Sequence, residues 1–238
     1  MKFEKPLASG RLLRRYKRFL ADIRLDDGSE ITAHVANPGA MLGLDVQGAR
    51  VLLSRSDNPK RKLPYSWEIV EGAPMHGGAA RLVGVNTAQP NRLVAEALAT
   101  GSLAPFRDYA HVRPEVRYGE ASRVDFLLSG EGRAPCYLEV KNVHLMREDG
   151  LAEFPDCKAA RSARHMRELA AMCAQGARAA LVYVVQMQAE RFAVAADLDP
   201  TYAAACHAAR EAGVEIHAYR CNVTPEAITI AEPITVMQ

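Results

Sequence analysis

Three residues in a short stretch of this chain have the types and spacing that metal-assisted phosphate chemistry requires. Asp125 lies in Arg123-Val124-Asp125-Phe126-Leu127-Leu128, and Glu139 and Lys141 lie in Cys136-Tyr137-Leu138-Glu139-Val140-Lys141. Apolar and polar residues alternate in both runs, which is the period of a half-buried strand. The intervening Ser129 to Pro135 contains glycines, so the two runs read as a β-hairpin. Centred on Gly132, the hairpin sets Val124 against Val140, Phe126 against Leu138 and Leu128 against Cys136. Those six apolar residues are expected on one face, packed against a helix. The other face then carries Asp125 opposite Glu139, with Lys141 on the same side.

Cross-strand neighbours stand about 5 Å apart at Cβ, and like charges there are destabilising. A positive group must compensate, and Arg123, Lys141 or a divalent cation could do so. Two carboxylates at this separation can share Mg²⁺ (or Mn²⁺), a hard ion that prefers oxygen ligands. An ion so held polarises a phosphoryl oxygen and acidifies a bound water. Lys141 would orient the attacking water or stabilise charge on the scissile phosphate. Alternating charges are also the ordinary solvent face of a half-exposed sheet, and a bulge would move Asp125 off Glu139. The spacing alone leaves both readings open.

The elements that must hold these residues can be read outward from the hairpin. Asn91 is expected to cap a helix through Arg92 to Leu98 that stops before Gly101, and Val112 to Tyr118 reads as a strand. A long helix is predicted from Asp156 to Gln175, stopped by Gly176. The wholly apolar Ala179 to Val185 predicts a strand buried on both faces. A helix over Pro200 to Ala212 and a strand over Val214 to Tyr219 complete the order α-β-β-β-α-β-α-β, a mixed sheet flanked by helices. On the first helix Glu96 is placed to supply a further carboxylate, although an ordinary solvent-facing role fits it equally.

The first eighty residues have a different texture. Short β segments (Leu12 to Leu25, Glu30 to Val35, Arg50 to Arg55, Tyr65 to Val70 and Arg81 to Val85) are separated by turn signals such as Asp26-Asp27-Gly28, Asn37-Pro38-Gly39 and Asp57-Asn58-Pro59. Five short strands over this length suit a small barrel of the OB type. The predicted organisation is therefore α+β in two domains, 1–82 and 83–238.

Charge points to a ligand. The net charge is only +2, but residues 1 to 80 hold thirteen Lys and Arg against nine Asp and Glu. Arg14, Arg15, Lys17 and Arg18 surround Tyr16, with Phe19 close behind. On an OB-type surface cations track phosphates while aromatic rings stack on bases. Lys60, Arg61 and Lys62 add a basic loop expected to close on the same strand of nucleic acid, and Arg161 and His165, four apart on a helix, could meet a phosphate. An edge strand solvated by cations, with Tyr16 and Phe19 in the core, is the plainer alternative. His34, His76 and His144 show no metal-ligand spacing and read as incidental.

Composition excludes other classes. The five cysteines form no CxxC pair, so neither a zinc site nor a thioredoxin-type motif is indicated, and scattered thiols fit a reducing compartment. No apolar run is long enough to span a membrane, and the first residues have no apolar secretory core, so a cytoplasmic protein without a membrane partner is expected. There is no Gly-x-Gly-x-x-Gly and no Walker A string.

Longer strings carry a resemblance. Asp125 followed by Glu139-x-Lys141 on consecutive strands of the α-β-β-β-α-β order resembles the PD-(D/E)xK nuclease superfamily, in which the preceding helix often adds an acidic residue. Nearly the whole chain resembles the sugar fermentation stimulation protein A (SfsA) family. The strings are Arg15-Tyr16-Lys17-Arg18-Phe19-Leu20-Ala21-Asp22, Arg61-Lys62-Leu63-Pro64-Tyr65-Ser66-Trp67-Glu68, Gly84-Val85-Asn86-Thr87 with Pro90-Asn91, Ser122 to Leu127, Tyr137 to Val143 and Phe154-Pro155-Asp156. The resemblance implies an OB-like domain, a PD-(D/E)xK-like domain, DNA binding and a link to sugar (maltose) metabolism. The segments Cys157 to His165 and Ala33 to Met41 depart from the family pattern, which weakens the expected substrate role of the first.

The function expected is that of a Mg²⁺-dependent nuclease acting on DNA without sequence preference, RNA and a homodimer being left open. Asp125 and Glu139 would hold the metal, Lys141 would handle the water and Glu96 could join them. The alternatives are a DNA-binding regulator that cuts nothing, and a metal-dependent enzyme of small phosphorylated or sugar substrates.

Overall fold

A computed structural model describes residues 1–119 and 122–237. Its first part is a five-stranded closed barrel: β1 (Ala8–Tyr16), β2 (Leu20–Leu25), β3 (Glu30–His34), β4 (Arg50–Arg55) and β5 (Tyr65–Gly72). Antiparallel pairing links β3 to β2, β2 to β1, β1 to β4 and β4 to β5, and the parallel contact His34–Ser66 closes β3 onto β5. This ring is the OB arrangement that the short, evenly spaced strands predict. Its interior is filled by Leu12, Ile23, Val51, Leu53 and Trp67, all without solvent exposure. A further strand, β6 (Arg81–Gly84), pairs with β5 outside the ring.

One expectation fails informatively. Leu12 to Leu25 is two strands, not one, because the chain reverses at Lys17 and Arg18, which take φ of 50° and 63°. Neither is a Gly or Asn, so the composition carries no signal for this turn. The basic segment is therefore divided: Arg14, Arg15 and Tyr16 end strand β1, and Lys17 and Arg18 form the tip of the hairpin.

The second part is a six-stranded mixed sheet in the order β14-β13-β11-β9-β8-β7, built from β7 (His111–Tyr118), β8 (Ser122–Ser129), β9 (Cys136–Val143), β11 (Arg178–Val185), β13 (Glu215–Val223) and β14 (Ile228–Pro233). Strands β9, β11 and β13 are parallel and the outer pairings are antiparallel. As its apolar run predicts, β11 is buried on both faces. Ala180, Val182 and Val184 pack in the cluster of α1 (Gln89–Ala99), while Ala179, Leu181, Tyr183 and Val185 pack in that of α2 (Ala160–Ala174) and α3 (Pro200–Glu211). Three short parallel strands, β10 (Leu151–Phe154), β12 (Arg191–Val194) and β15 (Thr235–Val236), form a separate small sheet. None was foreseen, since two to four residues carry too few alternations to be distinguished from a loop. No helix of the described residues is long and apolar enough to cross a membrane.

Two helix starts also differ from expectation. Asn91 is not the cap of α1: Ala88 occupies that position, and Asn91 lies in the first turn with its side chain directed elsewhere. Helix α2 begins at Ala160, four residues after Asp156, whose carboxylate is engaged by the backbone of the barrel domain through Met41.

Candidate active site

The β8–β9 hairpin pairs Phe126 with Leu138 and Leu128 with Cys136, the register expected from Gly132. The ladder then stops. Asp125 Oδ2 accepts the Val140 backbone N–H at 2.7 Å, a donor that would otherwise face the partner strand. The strands part at this point, and the six apolar residues do not all share a face. Phe126, Leu128, Cys136, Leu138 and Val140 pack with α1, whereas Val124 joins the cluster of α2. On the edge strand opposite, Glu115 takes a φ of 54°. The local irregularity turns the Asp125 carboxylate inward, toward the end of β9.

Asp125 is held by a residue that sequence reasoning assigned to another task. Asn91 Nδ2 donates to Asp125 Oδ1 at 2.8 Å. Burial raises the pKa of Asp125 above the ordinary carboxylate range, and the nearby Glu139 charge adds to the effect. The Val140 N–H that Asp125 accepts follows Glu139 directly in β9, which brings the Asp125 carboxylate to the same end of that strand.

Glu139 is 2% exposed. Its Oε1 accepts from Lys141 Nζ at 2.6 Å and also from His165 Nδ1. Burial works against the Glu139 charge, but these two donors outweigh it and hold its pKa below the ordinary value. Arg161 Nε donates to the other ring nitrogen of His165 at 3.3 Å, so the hydrogen-bond network places the ring proton on Nδ1. Oε2 of Glu139 is buried and has no hydrogen-bond partner among the described residues. A buried carboxylate oxygen left bare costs free energy unless something positive reaches it.

The donor set fits a divalent ion. Its donors would be Glu139 Oε2 and Asp125, which keeps a lone pair on each oxygen after the Asn91 and Val140 bonds. Among the described residues no three His, Cys, Asp or Glu converge as a closed metal cage. Two carboxylates leave most of a coordination sphere to water and phosphate oxygens, which is how Mg²⁺ is usually bound. Two more buried oxygens stand unpartnered nearby, Tyr118 Oη and Glu168 Oε2. Burial, with the charges of Glu139, Glu168 and Asp125, drives the Tyr118 phenol far above its ordinary pKa and keeps it a donor. Neither residue stood out in the sequence.

The remaining predicted residues divide sharply. Glu96 is not brought to the site: it faces away on α1, its side chain 54% exposed, and pairs with the Met1 amine at 2.5 Å. Leu93, Val94 and Ala97 form the packed stripe of that helix, which leaves Glu96 on the outer side. Arg15 is turned away from the surface on which a nucleic-acid contact was expected. Its side chain is 7% exposed, and it donates to the carbonyls of Arg18, Asn37, Gly39 and Ala40 at 2.9–3.2 Å. Five donors in a fixed fork suit it to tying a loop, and the demand of those carbonyls withdraws it from the surface.

His165 likewise turns inward to Glu139 instead of outward to a phosphate, while Arg161 remains exposed. Arg14 is 71% exposed, lies over the Tyr16 ring at 4.9 Å and binds Asp22 at 2.8 Å, and Tyr16 Oη donates to the same carboxylate. Lys17 and Arg18 stand exposed on the hairpin tip. Lys60, Arg61 and Lys62 are exposed between β4 and β5, and Arg61 lines a groove with Lys5 and Arg55. None of these three lines the cavity that Arg18 reaches. His144 is not incidental. Asn142 Nδ2 donates to its Nδ1 at 2.9 Å, and its Nε2–H donates to Asp156 Oδ2 at 3.1 Å.

Comparison with known proteins gives a consistent result. The model of the sugar fermentation stimulation protein RE domain matches residues 88–227, and the model of the SfsA N-terminal OB domain matches residues 13–85. A sugar fermentation stimulation protein homolog of Methylorubrum populi is 61% identical over 237 residues, covering 100% of this chain and 95% of its own. The homolog of Caulobacter vibrioides is 53% identical, covering 98% and 96%. The solved structure of Pyrococcus furiosus SfsA in complex with Ca²⁺ superimposes with a TM-score of 0.86 at 24% identity, covering 100% of this chain and 98% of that one.

Proposed function

Because the chain belongs to the sugar fermentation stimulation protein family, we propose that it is a divalent-metal-dependent phosphodiesterase acting on DNA, with the barrel holding the strand and the mixed-sheet domain cutting it. The observation that carries this reading is the bare Oε2 of a buried Glu139 beside Asp125 and Lys141. Asp125 and Glu139 would hold Mg²⁺ or Mn²⁺, which supplies charge stabilisation at a phosphoryl oxygen and a water acidified for attack. The Ca²⁺ described for the Pyrococcus furiosus relative supports a hard divalent ion in this fold.

The chain's own residues have separable tasks. His165 and Lys141 fix one oxygen of Glu139 so that the other points at the metal position. Lys141, at the edge of the carboxylate pair, would be the group to orient the water or stabilise charge on the scissile phosphate. Asn91 and the Val140 N–H hold Asp125 in its rotamer. Arg117, Arg123, Arg161 and Arg164 are exposed, and Arg161 bonds the His165 that holds Glu139. Arg117 and Arg123 face each other across β7 and β8, an arrangement of like charges that a phosphate backbone would relieve.

The alternative is a DNA-binding regulator of sugar metabolism without hydrolytic activity. It is favoured only if the carboxylates serve to hold a structural ion. Incubation of the protein with single- and double-stranded DNA, with Mg²⁺, Mn²⁺ or chelator, beside Glu139→Ala, separates the two. Cleavage that needs metal and vanishes in the variant is the expected result. DNA binding equal in all conditions, with no product, would leave the regulator.

A further inference from the structure

A cavity of about 360 Å³ opens between the two domains, and Lys141 forms part of its wall. We propose that it binds one unpaired nucleotide of the strand being processed, held by its phosphate at the mouth and its base within. The inference rests on the nucleic-acid reading above but not on hydrolysis.

Three cations from different parts of the chain meet at this cavity: Arg18 from the barrel hairpin, Lys141 from β9 and Lys158 from the loop before α2. Neither Arg18 nor Lys158 is in an ion pair among the described residues, and both are exposed. Arg18 reaches its place from a left-handed backbone conformation (φ 63°) that disfavours a residue with a Cβ. The buried Arg15 holds that conformation through the Arg18 carbonyl at 3.2 Å. Strain of this kind persists where the surroundings over-determine it, and here it delivers a cation to the cavity.

The interior suits a base rather than a bare anion. Pro38, Phe154 and Pro155 offer flat apolar surface, and Asn142 keeps one amide proton after its bond to His144. The Ser162 hydroxyl has no partner among the described residues. The one carboxylate in the lining, Asp156, is held by His144 Nε2–H and the Met41 N–H, and the three cations outnumber its charge. The volume lies at the small end of ligand sites, enough for one nucleotide and too little for a base pair. A duplex could therefore use the cavity only by giving up a nucleotide from its stack, whereas a single strand or a frayed end enters without that cost.

The test is binding without catalysis. Thymidine 5′-monophosphate is titrated into the full chain in the presence of chelator, by equilibrium dialysis and by backbone amide NMR, with inorganic phosphate and thymidine as separate probes. Saturable binding is expected, with amide shifts at Thr87, Asn142 and Ser162. Arg18→Ala and Lys158→Ala are each expected to weaken it about tenfold, the usual size of a charged hydrogen bond to phosphate. Ser162→Trp, which fills the cavity, should abolish it, with circular dichroism confirming the fold of each variant. Because binding is read in chelator and without cleavage, a failure of the nuclease reading leaves this result untouched. The proposal is overturned if the nucleotide binds no better than inorganic phosphate, or if Ser162→Trp, folded, binds it normally.

Discussion

His165 and Glu139 form a buried pair in which the ring Nδ1–H of one holds a single oxygen, Oε1, of the other. Lys141 binds the same oxygen, so the two donors together leave Oε2 free and fixed in direction. His165 is thus a positioning residue. Its replacement by Ala should lower affinity for Mn²⁺ by 10- to 100-fold, the usual effect of removing a group that orients a ligand. His165→Asn, which can return an N–H near the Nδ1 position, should recover part of the loss. Calorimetric titration of the three proteins decides the matter, and equal affinities would remove His165 from this role.

Glu96 should prove dispensable for whatever the site does. Its partner is the Met1 amine, and with the carboxylate half-exposed such a pair is worth less than about 1 kcal/mol. Glu96→Ala is expected to keep wild-type metal affinity and DNA cleavage, with a small loss in urea midpoint. A loss of metal binding comparable to that of Asp125→Asn would contradict the geometry.

Arg15 and Lys17 sit two residues apart in the basic segment and should behave oppositely. Removing Arg15 strands the carbonyls of Asn37, Gly39 and Ala40 around a buried gap. A cost of about 3 kcal/mol is expected, seen as a fall in Tm of roughly 10 °C. Lys17→Ala should leave Tm within a degree or two and reduce the salt dependence of DNA binding by about one phosphate contact. The pair separates a structural cation from a surface one by two ordinary measurements, a thermal melt and a salt titration.

What the sequence made legible, and what it did not, follows from the range of the interactions. Period-two alternation and a glycine in the loop place Phe126 opposite Leu138, because register there is set by which face is buried. The same pattern cannot show that the Asp125 carboxylate displaces a strand partner at Val140. That bond requires the strands to part. The barrel was readable from strand count and spacing, but its first turn was not, since Lys17 and Arg18 adopt a glycine-like backbone without being glycine. On α1, sequence favoured the acid, Glu96, where the fold uses the amide, Asn91. His165 reads as a phosphate contact beside Arg161, and His144 as incidental, because the carboxylates they bind lie 26 and 12 residues away and are joined to them only by packing.

The contact between Asp156 and the barrel domain should make the protein's stability depend on acid pH in a specific way. Asp156 Oδ2 accepts the Met41 N–H at 2.8 Å and His144 Nε2 at 3.1 Å. Burial opposes the charge, yet these bonds bring the carboxyl from an ordinary 3.8 down to about 2. A depressed carboxyl stabilises the folded state fully above its unfolded value, and the contribution disappears as pH falls through its folded value. The window is therefore from about pH 4 to about pH 2, and the difference corresponds to about 2 kcal/mol. Urea unfolding of the wild type and Asp156→Asn should differ by about this much at pH 6 and converge near pH 2. Gly39→Ala tests the same contact from the other side, because a Cβ there would lie 2.6 Å from Asp156 Oδ2. Since both bonds to that oxygen hold it in place, the alanine variant should lose stability at pH 6 and show a shallower acid dependence than the wild type. A Gly39→Ala protein as stable as the wild type at pH 6, with the same acid profile, would show that Asp156 can move aside without loss, and that this carboxylate does not clamp the barrel to the mixed-sheet domain.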